Sequence, residues 1–376
     1  MSVVFARGWY PLLLFTVWSL SLLFLYAYMD SRLTRVQRDY AQVWKELHTS
    51  PQRRAVLSLL PRSDSAGGSV RGPTRTFNEE NLVLLYNRVP KTASTSFMGV
   101  AYDLCKVNGF HALHLNISKN QHTMSLADQA RFVRNVSNWL QRKPAIYHGH
   151  VAFIDFSRFG HPNPLYINLI RDPLERLISY YYFLRYGDNF RPHLTRRRQG
   201  DTETFDECVE RGGKDCDPLQ LWVQIPFFCG HAADCWNAGS QWALEEAKRN
   251  LLRHYLLVGV SEELGDFVAL LEATLPRFFR GATALYNTGA KSHLRKTNKK
   301  LAPSPSTLRK IQSSSIWKME QDFYLFAKRE FYFIKERTLG KRTEDEEVEQ
   351  SFHFRPPAQE FHYEKIKPPQ QRTDSS

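Results

Sequence analysis

Leu82-Val83-Leu84-Leu85-Tyr86-Asn87-Arg88-Val89-Pro90-Lys91-Thr92-Ala93-Ser94-Thr95-Ser96 is the stretch on which the fold turns. An apolar run of strand character passes through a tight turn carrying a lysine and hydroxyls, and then enters a helix-compatible segment. Such a junction forms a phosphate cradle: free backbone N–H groups at a helix N-terminus attract an anion, and one lysine adds a full positive charge. The glycines of a Walker A loop are missing, which argues against ordinary ATP or GTP hydrolysis. Standing alone, the stretch reads equally well as a basic turn that opens a helix.

The surrounding pattern supports the cradle. The apolar pattern predicts strands over Leu82–Arg88, Pro144–His150, Leu165–Ile170 and Tyr255–Val260, with helices over Thr95–Asn108, Pro173–Arg185 and Glu262–Leu275. Strands alternating with helices imply an α/β fold, a mainly parallel central sheet flanked by helices. A second anion site follows in Ile170-Arg171-Asp172-Pro173-Leu174-Glu175-Arg176-Leu177-Ile178-Ser179. Arg171 sits at the carboxyl edge of a strand, where open α/β sheets bind ligands, and its planar fork suits a phosphate. Ser179 lies two turns along the next helix and offers a hydroxyl. An Arg-Asp-Pro strand end is elsewhere a structural ion pair. Tyr147-His148-Gly149-His150 ends another strand, and residues i and i+2 face one side. An imidazole there can act as a general base near neutral pH. A metal pair or a hydrogen-bonded structural pair is the alternative.

Lys91, His148, His150, Arg171 and Ser179, in this order and spacing, resemble the heparan sulfate and uronyl 2-O-sulfotransferases. The resemblance runs from about Asn78 to Leu339, through Y-N-R-V-P-K-T-A-S-T-S-F, Y-H-G-H-V, I-R-D-P-x-E-R-L-x-S-Y-Y-Y-F-L-R, L-W-x-Q-I-P-F-F-C-G-H and F-F-R-G-A-T. It implies a P-loop-like fold that takes 3′-phosphoadenosine 5′-phosphosulfate (PAPS) as donor. Lys91, Thr92, Ala93, Ser94, Thr95 and Ser96 would then hold the 5′-phosphosulfate, with Lys91 neutralising charge on the leaving oxygen. Arg171 and Ser179 would hold the 3′-phosphate, and Arg295, Lys296 and Thr297 would close over the nucleotide. His150 is expected as the base and His148 as a sugar-placing residue. Arg88, His114 and Arg196 are expected to contact substrate, and the displacement is expected to be in line and to need no metal. The implied acceptor is the 2-hydroxyl of a uronic acid, mainly iduronate, in heparan sulfate. Dermatan or chondroitin sulfate is the alternative acceptor, and a catalytically silent heparin-binding protein the alternative function.

The net charge of +13 over 376 residues independently asks for an acidic partner: nucleic acid, an anionic membrane, or a sulfated or carboxylated polymer. Arg191, Arg196, Arg197 and Arg198 form a basic cluster after the Arg171 helix. Trp9 to Met29 has no charged residue, and as a helix at about 1.5 Å per residue it would span roughly 31 Å, enough to cross a bilayer. The run exceeds the h-region of a cleaved signal peptide. Arg32, Arg35 and Arg38 follow it against Arg7 before it, a count that alone favours the opposite topology. Sequons at Asn116 and Asn135, and the close pairs Cys208/Cys216 and Cys229/Cys235, point instead to an oxidising lumen, with Cys105 left over. Zinc is the alternative for the four cysteines, although neither spacing is C-x2-C. The expected organisation is a cytoplasmic tail at 1–8, a type II signal anchor at 9–29, a stem at 30–77, a lumenal catalytic domain at 78–339 and a tail at 340–376. The compartment is expected to be the Golgi, where nucleic acid is not a partner. In the stem, Leu33, Val36, Tyr40, Val43 and Leu47 make a short coiled-coil seam. The resembling family forms homotrimers, and the aromatic-basic segment Phe352–Lys367 is expected to dock on a neighbouring subunit.

Overall fold

The computed structural model describes scattered positions between 15 and 60, residues 79–115, 121–188, 191–288, 297 and 299–340, and the backbone of 363–366. The chain divides into two compact units, Met1–Arg54 and Ala55–Ser376. In the first, the described positions between Phe15 and Tyr26 are helical and exposed. The rest of the expected span at 9–29, the seam Leu33–Leu47, Asn116 and the pair Arg295 and Lys296 lie outside the described residues. Among the described residues, no helix is long and apolar enough to cross a membrane.

The second unit is built on strands β1 (Val83–Asn87), β2 (His111–Leu115), β3 (Ala145–Gly149), β4 (Leu165–Ile170), β5 (Tyr255–Val260) and β6 (Tyr363–Ile366). They form one sheet in the order β5-β4-β1-β3-β2-β6, and every pairing is parallel. The parallel α/β expectation is met. β1 lies inside the sheet with both faces covered, as its run of apolar residues requires. The chain winds through helices α1 (Ser94–Val107), α2 (Leu126–Asn138), α3 (Pro173–Tyr186), α4 (Phe205–Arg211), α5 (Gln224–Cys229), α6 (Gln241–His254), α7 (Leu264–Thr274), α8 (Pro276–Phe279), α9 (Ala282–Asn287), α10 (Pro305–Gln312) and α11 (Ser315–Leu339).

Local chemistry starts the elements that matter for the site. Asp172 caps α3 by accepting from the Glu175 amide at 2.9 Å, and Pro173 fills the first turn, where its missing N–H costs nothing. Thr204 and Glu207 form a reciprocal capping box on α4. Under the cradle, the Phe97 ring meets Tyr86, Phe267 and Phe279 at centroid distances of 5.1, 5.2 and 5.8 Å. Truncating such a ring costs about 3–5 kcal/mol, so α1 is firmly tied to β1.

Two strands were not expected. β2 is short and carries two histidines, and β6 belongs to the tail. β6 adds to the outer edge of β2, with Ala112 opposite Tyr363 and His114 opposite Lys365. Residues 363–366 therefore pair with the sheet of their own chain, and the rest of the segment Phe352–Lys367 lies outside the described residues. Both expected cysteine pairs are disulfides, Cys208–Cys216 and Cys229–Cys235, which accounts for the four thiols without zinc. Cys105 is free and buried.

Candidate active site at the carboxyl edge of the sheet

The cradle is shaped by its own hydroxyls. Thr92 Oγ1 and Ser94 Oγ donate to the Val89 carbonyl at 2.9 and 3.4 Å, and the Tyr86 phenol donates to Ser94 Oγ at 2.9 Å. Burial pushes the Tyr86 phenol up to about 12, so it remains a donor. Lys91 and Ala93 both take left-handed backbone angles, with φ of 67° and 58°. Each such non-glycine residue stores about 1–3 kcal/mol, held here by the surrounding bonds. Thr92 and Ser94 were expected to face a ligand with their hydroxyls. They are buried and turned inward, so what they contribute to a ligand is the direction of the loop amides.

Lys91, Arg171, Ser179 and Thr297 converge although they are far apart in sequence. Lys91 Nζ donates to Thr297 Oγ1 at 3.1 Å and lies 4.2 Å from the centre of the Phe183 ring. Ser179 Oγ is 3.2 Å from the same Thr297 hydroxyl. Arg171 reaches the Lys91 carbonyl and the Glu175 carboxylate, both at 3.4 Å. Two cations and two hydroxyls cluster around a strand-turn-helix junction, a set of donors that fits a nucleotide with a phosphate at each end.

On the other side of β1, both histidines are organised by Arg88. His150 Nδ1 lies 2.7 Å from the Arg88 carbonyl. A carbonyl only accepts, so Nδ1 carries the proton and Nε2 keeps the lone pair. Burial, then the Arg88 guanidinium, holds the His150 imidazole down to about 3. His148 is different. Arg88 Nη1 points at its Nδ1 at 3.2 Å, Tyr102 OH meets its Nε2 at 2.7 Å, and His114 stacks on its ring at 4.8 Å. His148 is fully buried and both ring nitrogens are engaged, where the sequence led us to expect a sugar-placing residue. It supports Arg88, Tyr102 and His114 from behind. Gly149 lets the strands approach this closely, since a Cβ there would lie 2.8 Å from the Leu115 carbonyl oxygen.

Arg196 folds back onto the site. Its guanidinium lies 4.5 Å from the centre of the Phe183 ring, which Lys91 also contacts, and 3.6 Å from Asp188. Arg191, Arg197 and Arg198 are exposed. Arg198 is bonded to Asp215 at 2.8 Å. Asn135 is exposed on α2. Sequence reasoning missed Tyr102 and Gln224. It also missed a buried amide pair beneath the cradle, where Asn168 Nδ2 donates to Asn87 Oδ1 at 2.9 Å. The available signal was polarity inside apolar runs, since a buried amide needs partners.

The profile of the sulfotransferase family matches residues 74–328. The chain is 58% identical over 291 residues to heparan sulfate 2-O-sulfotransferase 1 of Homo sapiens, covering 77% of this chain and 80% of that protein. The Gallus gallus protein of the same name is 59% identical over 291 residues, with the same coverage of 77% and 80%. Heparin sulfate O-sulfotransferase of Drosophila melanogaster is 52% identical over 331 residues, 88% of this chain and 91% of that protein.

Proposed function

This chain belongs to the sulfotransferase family, and we propose that it transfers a sulfuryl group from PAPS to the 2-hydroxyl of a uronic acid, mainly iduronate, in heparan sulfate. The observation that carries this reading is an unprotonated imidazole nitrogen, His150 Nε2, on the same sheet edge as the cationic cluster of Lys91 and Arg171. The names of the similar proteins support the acceptor.

PAPS supplies the sulfuryl group when bound, and its adenosine 3′,5′-bisphosphate portion leaves. The amides of the Lys91–Ser96 turn hold the 5′-phosphosulfate, and Lys91 opposes the charge that develops on the leaving oxygen. Arg171 and Ser179 take the 3′-phosphate, with Thr297 of the closing loop beside them. His150 Nε2 accepts the proton of the sugar hydroxyl as its oxygen attacks sulfur. Arg88, His114 and Arg196 orient the uronate carboxylate and neighbouring sulfates. The net charge of +13 supports a polyanionic acceptor. The two disulfides support a lumenal setting. We place the protein in the Golgi membrane as a type II homotrimer, on the charge-free Trp9–Met29 run and on the family resemblance.

The test is incubation with labelled PAPS and separate glycosaminoglycans, followed by disaccharide analysis. Label on the 2-hydroxyl of uronate in heparan sulfate is the expected result. Label confined to dermatan or chondroitin sulfate, to glucosamine, or to nothing overturns it.

A further inference from the structure

We propose that Gln224 is a positioning residue for Arg171, and that through Arg171 it sets the preference for a nucleotide bearing a 3′-phosphate; this rests on the reading of Arg171 given above. Gln224 is fully buried. Its Oε1 accepts the Arg171 N–H at 2.9 Å, and its Nε2 donates to the Arg171 carbonyl at 2.9 Å. This clasp satisfies the backbone of the residue after β4 with a side chain, just where the strand's backbone ladder ends at Ile170. The Arg171 guanidinium, by contrast, is held among the described residues at 3.4 Å to the Lys91 carbonyl and 3.4 Å to Glu175. Contacts that long are weak, so the direction of the guanidinium follows from how its backbone is fixed.

The mount for Gln224 is itself rigid. Glu320 Oε1, from α11, accepts the amides on either side of it, Val223 at 2.9 Å and Ile225 at 3.1 Å. The far end of α5 is closed by the Cys229–Cys235 disulfide and by Asn250, whose amide donates to the Phe228 and Cys229 carbonyls at 3.0 and 3.1 Å. Arg176, buried beside this mount, donates to the Gln220 and Leu221 carbonyls just before it, at 2.8 and 3.3 Å. A six-residue helix would not hold a side chain steadily by itself, and here it is tied at both ends.

The experiment measures the affinity of the full chain for adenosine 3′,5′-bisphosphate and for adenosine 5′-monophosphate by calorimetry, in wild type, Arg171→Ala, Gln224→Met and Gln224→Asn. Arg171→Ala should abolish the preference for the 3′-phosphorylated nucleotide; if it does not, the reading of Arg171 fails and this proposal with it. With that reading intact, Gln224→Met should cut the preference by about tenfold, while monophosphate affinity stays within about twofold, the scale of a misdirected hydrogen bond to a charged group. KM for PAPS should rise with kcat at saturating PAPS nearly unchanged. Gln224→Met with full preference overturns the proposal. If Gln224→Met does not fold, Gln224→Asn decides, because it keeps the amide and sets it one methylene short. A reduced preference in that variant supports the proposal, and an unchanged one overturns it.

Discussion

His150 and His148 are two residues apart, and hydrogen bonding gives them different work. The lone pair of His150 faces away from Arg88, whereas both nitrogens of His148 are occupied. His150→Ala should therefore lower kcat by roughly 10²–10⁴-fold and leave the affinity for adenosine 3′,5′-bisphosphate intact, as measured by turnover and calorimetry. Near-normal turnover would remove His150 as the base. The pH profile carries a second expectation. Burial and the Arg88 guanidinium keep the imidazole neutral, at about 3 in the free protein, so kcat/KM should show no acid limb at the ordinary histidine value of about 6.5. Anionic substrates favour the protonated ring and raise its pKa, so the acid limb of kcat should lie at higher pH than that of kcat/KM. Coincident limbs would contradict this. On the proposed role of this cation at the leaving group, Lys91→Ala should weaken nucleotide binding and turnover together. At this scale Lys91, Arg171 and Ser179 stood out in the sequence as candidates because their motifs are local. The division of labour between the histidines was not, because it depends on Arg88, whose bond to His150 spans 62 positions.

Elements whose burial is complete on both faces were read almost to the residue: β4 and β5 were expected at Leu165–Ile170 and Tyr255–Val260 and are found there. β2 and β6 were missed because their polar residues, His111 and His114 in one and Glu364 and Lys365 in the other, break the apolar run, so the strands are defined by the partners they pair with more than by their own pattern. Pairing of β6 covers the outer edge of β2, the strand that carries His114. Deleting the residues after Glu349 should therefore speed amide hydrogen exchange in His111–Leu115 and lower polysaccharide affinity, with sedimentation reporting any change in assembly. Unchanged exchange and full activity would leave β6 without a role. The basic loop after α3 makes a separate expectation. Arg196 is folded against Phe183 and Asp188, so Arg196→Ala should impair polysaccharide use far more than PAPS binding. Equal loss of both ligands would instead assign Arg196 to support of the Lys91 side.

For the whole molecule, charge and burial set the response to salt and pH. With a net charge of +13, heparan sulfate affinity should fall steeply as ionic strength rises, while PAPS affinity falls less. Buried histidines govern acid stability. Burial lowers His122, His148, His150, His231 and His254, the fourth to about 4. The unfolded chain binds these protons first as pH drops below about 6.5, so the stability they contribute is present above that value and lost toward their folded values. Glu320 works in the opposite sense: burial raises it to about 7, so the folded state takes up its proton first and gains as pH falls from 7 toward 4.5. Five groups against one predict that the melting temperature falls between pH 7 and 4.5, as calorimetry would show. A flat or rising melting temperature would mean these imidazoles are solvated. The sequence by itself determined the parallel α/β class, the strand-turn-helix junction that carries Lys91 and the excess of positive charge, because apolar runs, short motifs and total charge are properties of contiguous residues. Tertiary structure alone decided which imidazole keeps a lone pair, that Thr92 and Ser94 face inward, and that Gln224 clasps Arg171. A buried donor or acceptor takes its direction and its proton from its hydrogen-bond partner, and these partners come from other strands and helices.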